Sequence, residues 1–541
     1  MTIRKFIKKN IVFSIISIGF LIWIIFLIIL SLTNRRVVIF LDALDSFPGT
    51  DVSSDYSSEI PLFRYFLEPL IGAALLIGYN FEWTIPFLMI YIVFRGVFLY
   101  LNRINKITSE KFRYLMQPLG NFMFFVFKLF SLTILTIAII ILIGYLSLGY
   151  FFVSRYFMVI VQTFIRICVT ILLFKILHLV LISFSPKLKY KLGSKRTDSK
   201  FKKNRKFSKK YNYFKKEFVY IAGTLSLLLG ANVLLISVPF PTQKINISLE
   251  PNEVLLDFHV HTTMSDGWIT PQQRVLWYID QGITGAVFTD HDNIRGAIAA
   301  RNFVEENNLD FNVYIGAEWT DNTNDIHMNY YGLEEEIVAP MSETPSGIPL
   351  ALNASDMIKY VKSKGGYVIV NHYTGPPGYP HTYEDLAKWG VDGFEIVNGD
   401  HVEAKEIREF SLNNKNGFNE SLICLGGSDI HVAGEINAFV KLKLDNPANK
   451  TIDNIFKNLR NNNHSVITMA LHSNKVKFPG ILKDIGFEIF EDYFNYLLNL
   501  DVYQCLSWIL WSGIAYTFFF LGIRKIKKTN LKIIQKKINL N

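Results

Sequence analysis

Residues 257–268 read DFHVHTTMSDGW, with His259 and His261 two apart and Asp266 five residues further on. Imidazole and carboxylate together, without thiolate, suit Zn, Mn or Fe as divalent ions. An H-x-H pair alone is a weak signal, because residues i and i+2 of any strand share a face and two histidines there can simply be wet. The same residue types recur along the chain. His291 stands in FTDHD, Glu318 in GAEW, His327 in IHMNYYGL, His372 in VIVNH, and Asp429 and His431 in GGSDIH. Six imidazoles and three carboxylates exceed the ligand set of one tetrahedral ion. They suffice for two or three ions with one carboxylate bridging.

Something must bring these residues to one place. Between 250 and 475, short β-rich runs alternate with amphipathic ones. EVLLDFHVH precedes TPQQRVLWYIDQG, a helix with Thr270 as N-cap, Pro271 in the first turn and Gly282 at its end. GAVFTDHD precedes NIRGAIAARNFVEEN. NVYIGAEW and IHMNYYGL read as adjacent strands. SDMIKYVKSKGG leads to YVIVNH, GFEIVNGD to EAKEIREFSLNN, and SLICLGGSDIH to TIDNIFKNLRNNN. Such alternation implies a parallel sheet, and this many units suggests a barrel. The histidines and carboxylates fall at strand ends, the rim on which α/β barrels carry their active sites.

The order H-V-H-T-x-x-S-D-G, T-D-H-D, G-x-E, N-H and G-S-D-x-H resembles the PHP (polymerase and histidinol phosphatase) family over residues 255–475. The S-D-G and T-D-H-D forms are most similar to its small nucleotide phosphatases and exonuclease-like members. The resemblance implies a distorted (β/α)7 barrel with two or three divalent metal ions (Mn, Zn or Fe). It implies that His259 and His261 bind one ion with Asp429 and a bridging Glu318. His327 and His372 would bind a second ion with Glu318. Asp266, His291 and His431 would hold a third. Glu318, Asp429 and His372 are the residues expected to act in catalysis. Asp290 and Asp292 flank His291 and are read either as orienting its ring or as capping the next helix. His381 and His401 lie in loops, where a solvated role competes with substrate contact. His464 and His472 follow the last motif and are read as inert.

The rest of the chain has another character. Half of its 541 residues are hydrophobic. Residues 250–480 carry 17 Lys+Arg and 31 Asp+Glu, a net −14, whereas the remainder carries +24. A span needs about 20 apolar residues, and 11–32, 122–150, 156–184, 218–240 and 503–523 qualify. No A-x-A-like site follows the first run, which reads as an uncleaved anchor. His178 lies inside a span, where helix packing and function are both open. The expected organisation is a membrane region over 1–185 with about four spans, a basic cytoplasmic segment at 186–217 and a span at 218–240. The metal domain at 250–475, a connector at 476–502, a span at 503–523 and a basic tail at 524–541 follow. The stretch 61–101 is counted as one crossing, for six in all. Basic flanks belong in the cytoplasm, which puts the acidic domain outside. The three cysteines, Cys168, Cys424 and Cys505, have no zinc-site or disulfide spacing.

These features predict a membrane-anchored phosphoesterase acting through a metal-bound hydroxide on phosphomonoesters or phosphodiesters. The alternative is a non-catalytic metal-binding sensor coupled to the spans. An acidic body disfavours a nucleic-acid polymer and favours a small phosphorylated metabolite, a nucleotide or an envelope phosphodiester. Segment 186–217 is expected to meet anionic lipids.

Overall fold

The computed structural model describes residues 11–33, 38–77, 84–103, 109–184, 208–240, 243–340, 350–373, 381–399, 401–403, 405–413, 422–470 and 476–538. The strands are β1 (Ile39–Asp42), β2 (Thr50–Asp51), β3 (Ser57–Glu59), β4 (Lys244–Asn246), β5 (Glu253–Val260), β6 (Gly285–Phe288), β7 (Asn312–Asp321), β8 (Ile326–Tyr331), β9 (Ile337–Val338), β10 (Leu350–Ala351), β11 (Tyr367–Val370), β12 (Gly393–Asn398), β13 (His401–Val402), β14 (Ile423–Gly427), β15 (Ala438–Lys443) and β16 (His464–Ala470).

The main sheet runs β13-β12-β11-β8-β7-β6-β5-β15-β16-β1-β2, with β14 on β12. It is mixed. β5, β6 and β7 are parallel, as are β11, β12 and β14. β8 is antiparallel to both β7 and β11, and β15 is antiparallel to β5. The all-parallel expectation fails at β8 for a simple reason. Only residues 322–325 separate β7 from β8, and a parallel return needs a crossover of a dozen or more. At the far end, Val260 bridges Ile430 in parallel, and the Asp429 amide donates to the His259 carbonyl at 2.8 Å. The ends of β5 and β14 therefore meet.

Local chemistry explains the elements. β5 is buried on both faces, as a central strand must be. The helix Pro271–Gln281 starts on a capping box between Thr270 and Gln273 and stops at Gly282, whose φ of 85° is left-handed. Its Val275, Trp277 and Tyr278 enter the core with Phe288, Ala317, Trp319 and Phe394. Burying such side chains contributes about 1.5–3 kcal/mol each.

Residues 38–59 depart from the expected all-membrane N-terminal region. β1 pairs with β16, placing Phe40 opposite Met469, and β3 pairs with β4. Phe40 stacks on Tyr56 in the domain core, 4.9 Å between ring centroids.

Among the described residues, five helices are long and apolar enough to cross a membrane: Ser14–Thr33, Asn121–Leu148, Phe151–Leu179, Glu217–Leu234 and Val502–Leu521. They match the five expected spans. The stretch 61–101 forms two helices, Leu62–Ile77 and Thr84–Arg103. Residues 186–207 of the basic segment and His472 lie outside the described residues, and 208–217 continue the helix Ser208–Ile236. Within the connector, the helix Glu488–Leu498 lies against Leu62–Ile77. There the Tyr496 hydroxyl donates to Glu68, itself paired with buried Arg64.

Candidate metal centre

All nine predicted residues converge at one end of the parallel strands. β5 delivers His259, and the residue just past its end is His261; both are fully buried. Their Nε2 atoms lie 3.1 Å apart, and each faces Asp429 Oδ1, at 3.3 and 3.1 Å. Glu318, from β7, is 1 % exposed and sits at the middle. Its Oε1 meets His327 Nδ1 at 3.0 Å, the Asn371 amide at 2.9 Å and His372 Nε2 at 3.5 Å. Its Oε2 meets His259 and His261 Nε2 at 3.4 and 3.2 Å and His291 Nδ1 at 3.0 Å. One carboxylate thus stands between two groups of imidazoles. Asp266, half exposed, closes a third group, at 3.7 Å from His291 Nε2 and 3.3 Å from His431 Nε2.

Three sets have ligand atoms close enough to share an ion: His261, Asp266, His291 and His431; His259, His261 and Asp429; and His291, Glu318 and His327. They differ from the sets that the family resemblance implies: His261 and His291 each join two, Glu318 joins one, and His372 joins none. The donor chemistry fits divalent ions. Glu318 Oε2 is buried without a hydrogen bond among the described residues, although three ring nitrogens surround it. A buried unsatisfied carboxylate oxygen is costly unless something positive completes it.

The backbone is bent to make this arrangement. His372, Asp429 and Asp292 have φ of 26°, 49° and 55°, a region that non-glycine residues seldom occupy. Register shifts in β5 after Asp257 and in β12 after Glu395 mark bulges beside the centre.

A second layer of residues holds the rings, and composition alone did not point to it. Glu395, from β12, lies 3.2 Å from His259 Nδ1 and accepts the His372 amide. Its signal was a carboxylate inside the apolar run GFEIV. Asp257 accepts from Tyr278, from Ser428 and from the His259 amide. Thr320 Oγ1 meets His291 Nδ1 at 2.7 Å. The expected roles of Asp290 and Asp292 need correction. Asp290 holds the loop after β5, accepting from the Thr262 amide, the Thr262 hydroxyl and Ser265. Asp292 accepts the Thr320 amide. Neither bonds the His291 ring or caps the helix Arg295–Asn307, whose first amide donates instead to the Asn293 side chain.

His381 packs on Trp389, with ring centroids 5.1 Å apart, and His401 is exposed on β13. His464 is buried away from the centre and bonds the Cys424 carbonyl through Nε2 at 2.9 Å, a structural role rather than an inert one. His178 is exposed on its helix.

The electrostatics are those of a cation site. Burial resists protonation of His261, but hydrogen bonds to Asp429 and Glu318 outweigh it and push the imidazole up to about 10. His372, under the same opposition of burial and Glu318, rises to about 9. His259 is raised as well, burial being overcome by Asp429 and Glu318. Burial takes His291 the other way, to about 4. Glu318, Asp266 and Asp429 are all depressed, because facing imidazoles overcome burial.

Signs follow from linkage. In the metal-free protein, His261 and His372 stabilise fully below the ordinary imidazole range near 6.5 and lose that contribution as pH rises through 9 and 10. The depressed carboxylates contribute fully above their ordinary range and lose that contribution as pH falls below it, through their lower folded values. Ion binding requires neutral imidazoles. Loading the chelated protein should therefore release protons at pH 7–8, and fewer per ion near pH 10. Titration calorimetry in buffers of different ionisation heats reads this directly, and uptake without proton release would remove the imidazoles from the ligand set.

Comparison with known proteins agrees with the geometry. The family model described as PHP domain matches residues 257–466. The 5'-3' exoribonuclease Rnm of Salmonella typhimurium is 31 % identical over 87 residues, 16 % of this chain and 30 % of that protein. Its Escherichia coli counterpart is 30 % identical over 88 residues, with the same shares. The chain thus spans under a third of these curated relatives. A two-domain protein from Bacteroides vulgatus containing a predicted PHP-like metal-dependent phosphoesterase is 21 % identical, covering 44 % of this chain and 69 % of that one, with a TM-score of 0.32. The lesion-specific endonuclease PfuEndoQ from Pyrococcus furiosus is 13 % identical, covering 39 % and 56 %, with a TM-score of 0.27. The motif order, the converging ligands and the matched family model together assign residues 257–466 of this chain to the PHP domain family.

Proposed function

We propose that the chain is a membrane-anchored, metal-dependent phosphoesterase. The carrying observation is Glu318, whose two oxygens face two groups of imidazoles. Two or three divalent ions (Mn, Zn or Fe) fit this donor set. When bound, such ions acidify water and neutralise phosphoryl oxygens. The chain's own residues do the rest. Glu318 and Asp429 hold negative charge at the centre. Glu395 and Thr320 fix the rings of His259 and His291. His372, one-third exposed, stands where a substrate oxygen can reach it. We read the curved sheet as an irregular (β/α)7 barrel whose rim carries this site.

The test is turnover by the purified full chain against phosphomonoesters, phosphodiesters and oligonucleotides, with metal analysis. Chelator-sensitive hydrolysis and about two or more equivalents of metal are expected. Fewer than one equivalent after metal-replete expression, with no hydrolysis, would sink the reading. Oligonucleotide cleavage alone would favour an Rnm-like nuclease, against which the net charge of −14 over 250–480 argues.

We place the domain outside the cytoplasm. Contacts that support this are β1 on β16 and the Arg155–Glu336 pair, which put the ends of the helices Ile11–Thr33 and Tyr150–Phe184 on the domain's side. Arg95 pairs with Glu217, at the opposite end of the apolar window Glu217–Leu234. These contacts suit six crossings, with 62–103 counted once. The basic segment 186–217 and the tail after the helix window Val502–Leu521 then lie inside, where the segment would meet anionic lipid. Protease added to intact protoplasts should remove 250–475. Full protection until lysis would reverse the orientation.

A further inference from the structure

The loops that carry the metal ligands rest directly on membrane helices. Trp268, two residues after Asp266, packs with Met158, Val233 and Ile236, and Val432, next to His431, joins them. Met158 belongs to the helix Tyr150–Phe184, and Val233 and Ile236 end the helix Ser208–Ile236. Gln162 is buried within an apolar span, and its side-chain amide donates to the Trp268 carbonyl. Arg155, on the same helix, is buried and pairs with Glu336. Its carbonyl accepts from Arg295, which also donates to the carbonyl of Met264 in the loop bearing Asp266, both at 3.1 Å. Two guanidiniums thus stand together where the span meets that loop. Asp266 itself is half exposed there.

We propose that the substrate is an amphiphilic phosphoester of the same membrane, its phosphate reaching the Asp266 side of the centre while its apolar tail stays in lipid along the helix Tyr150–Phe184. The inference rests on the phosphoesterase reading above. Three features argue for it. The Gln162 side chain, and the Arg155 carbonyl through Arg295, fasten an apolar span to the ligand loops, so the centre is held at the membrane surface. Arg295, partly exposed beside the loop, suits a phosphate, whereas the acidic body elsewhere repels soluble polyanions. Tyr156, Phe157 and Val159, within about one turn of Arg155, leave apolar surface exposed on that helix. A tail kept in lipid adds favourable transfer energy for every methylene, which a water-soluble ester forgoes.

The experiment uses the full chain in phosphatidylcholine vesicles carrying phosphatidic acid or phosphatidylglycerol. Glycerol 3-phosphate and glycerophosphoglycerol, the matching water-soluble head groups, are the comparison. Chelator-sensitive turnover of a lipid should exceed that of its soluble head group by at least about tenfold in kcat/KM. A second readout needs no turnover. A photoreactive phosphatidic acid with its diazirine near the glycerol should label residues 155–166 or 264–268 by peptide mapping. Soluble esters hydrolysed as well as or better than both lipids would overturn the inference and leave the phosphoesterase reading standing. Labelling confined to other membrane helices would overturn it as well. No hydrolysis of any phosphoester would remove the phosphoesterase reading and the inference with it.

Discussion

Glu318→Gln abolishes turnover and empties most of the metal centre, while the domain stays folded. The side chain keeps its size, so packing around a residue 1 % exposed is preserved. What changes is charge and donor sense. A carboxylate whose two oxygens both face imidazoles becomes an amide whose nitrogen must face imidazoles on one side. If the nitrogen turns to the Oε1 side, it confronts the Asn371 amide, itself a donor. If it turns to the Oε2 side, it confronts three ring nitrogens. Neither flip satisfies both. One negative charge is also lost from the middle of six imidazoles. Removing one preorganised electrostatic group from an active site costs about 10²–10³ in kcat. A residue that serves two ion positions should exceed that, on the order of 10³ or more. Turnover on a good phosphoester, metal equivalents and circular dichroism check this together. Parental activity with full metal content would remove Glu318 from the centre, and with it the observation on which the proposed function rests.

The residues legible in the sequence were those that carry chemistry by type. All nine histidines and carboxylates singled out by motif lie together. Strand ends and the cap at Thr270 were legible too, because they depend on neighbours a few residues away. Long-range pairings were not. Nothing local in IFLD announces that β1 will leave the apolar N-terminal region to pair with β16, more than 400 residues later. Nor does a motif show that Glu395 will lie behind His259, since that contact exists only once β12 and β5 have been brought together. Asp290 misled for the opposite reason. Its neighbour His291 suggested a local partner, but its hydrogen bonds run back 28 residues, to Thr262. Sequence spacing reports side chains on one element, while the support around a site is drawn from several.

Gly267→Ala is the second large effect, and it separates the loop from the centre. The S-D-G glycine is not needed for an unusual φ. It is needed because backbone lies against backbone. A Cβ there would meet the Thr262 nitrogen at 2.6 Å and His261 carbonyl carbon at 2.7 Å. These atoms belong to the strand end that presents His261, so they cannot swing aside as a flexible side chain can. The Gly267 amide also donates to the Thr262 carbonyl at 2.9 Å, and the Trp268 amide to the His431 carbonyl. The loop must therefore open by several tenths of an ångström, and Asp266, one residue away, moves with it. Overpacking of this kind costs about 1–3 kcal/mol of stability. A misplacement near 1 Å can cost about 10² in rate. The two variants then differ in pattern. Glu318→Gln strips the positions that share the central carboxylate. Gly267→Ala should release about one ion, from the group of Asp266, His291 and His431, and lower kcat/KM about 10²-fold. The ions on the Glu318 side should stay. Metal counting on both variants decides it. An alanine variant with full metal and parental kcat/KM would show that the loop tolerates the added carbon, and that the backbone contact between Gly267 and Thr262 does not hold Asp266 in place.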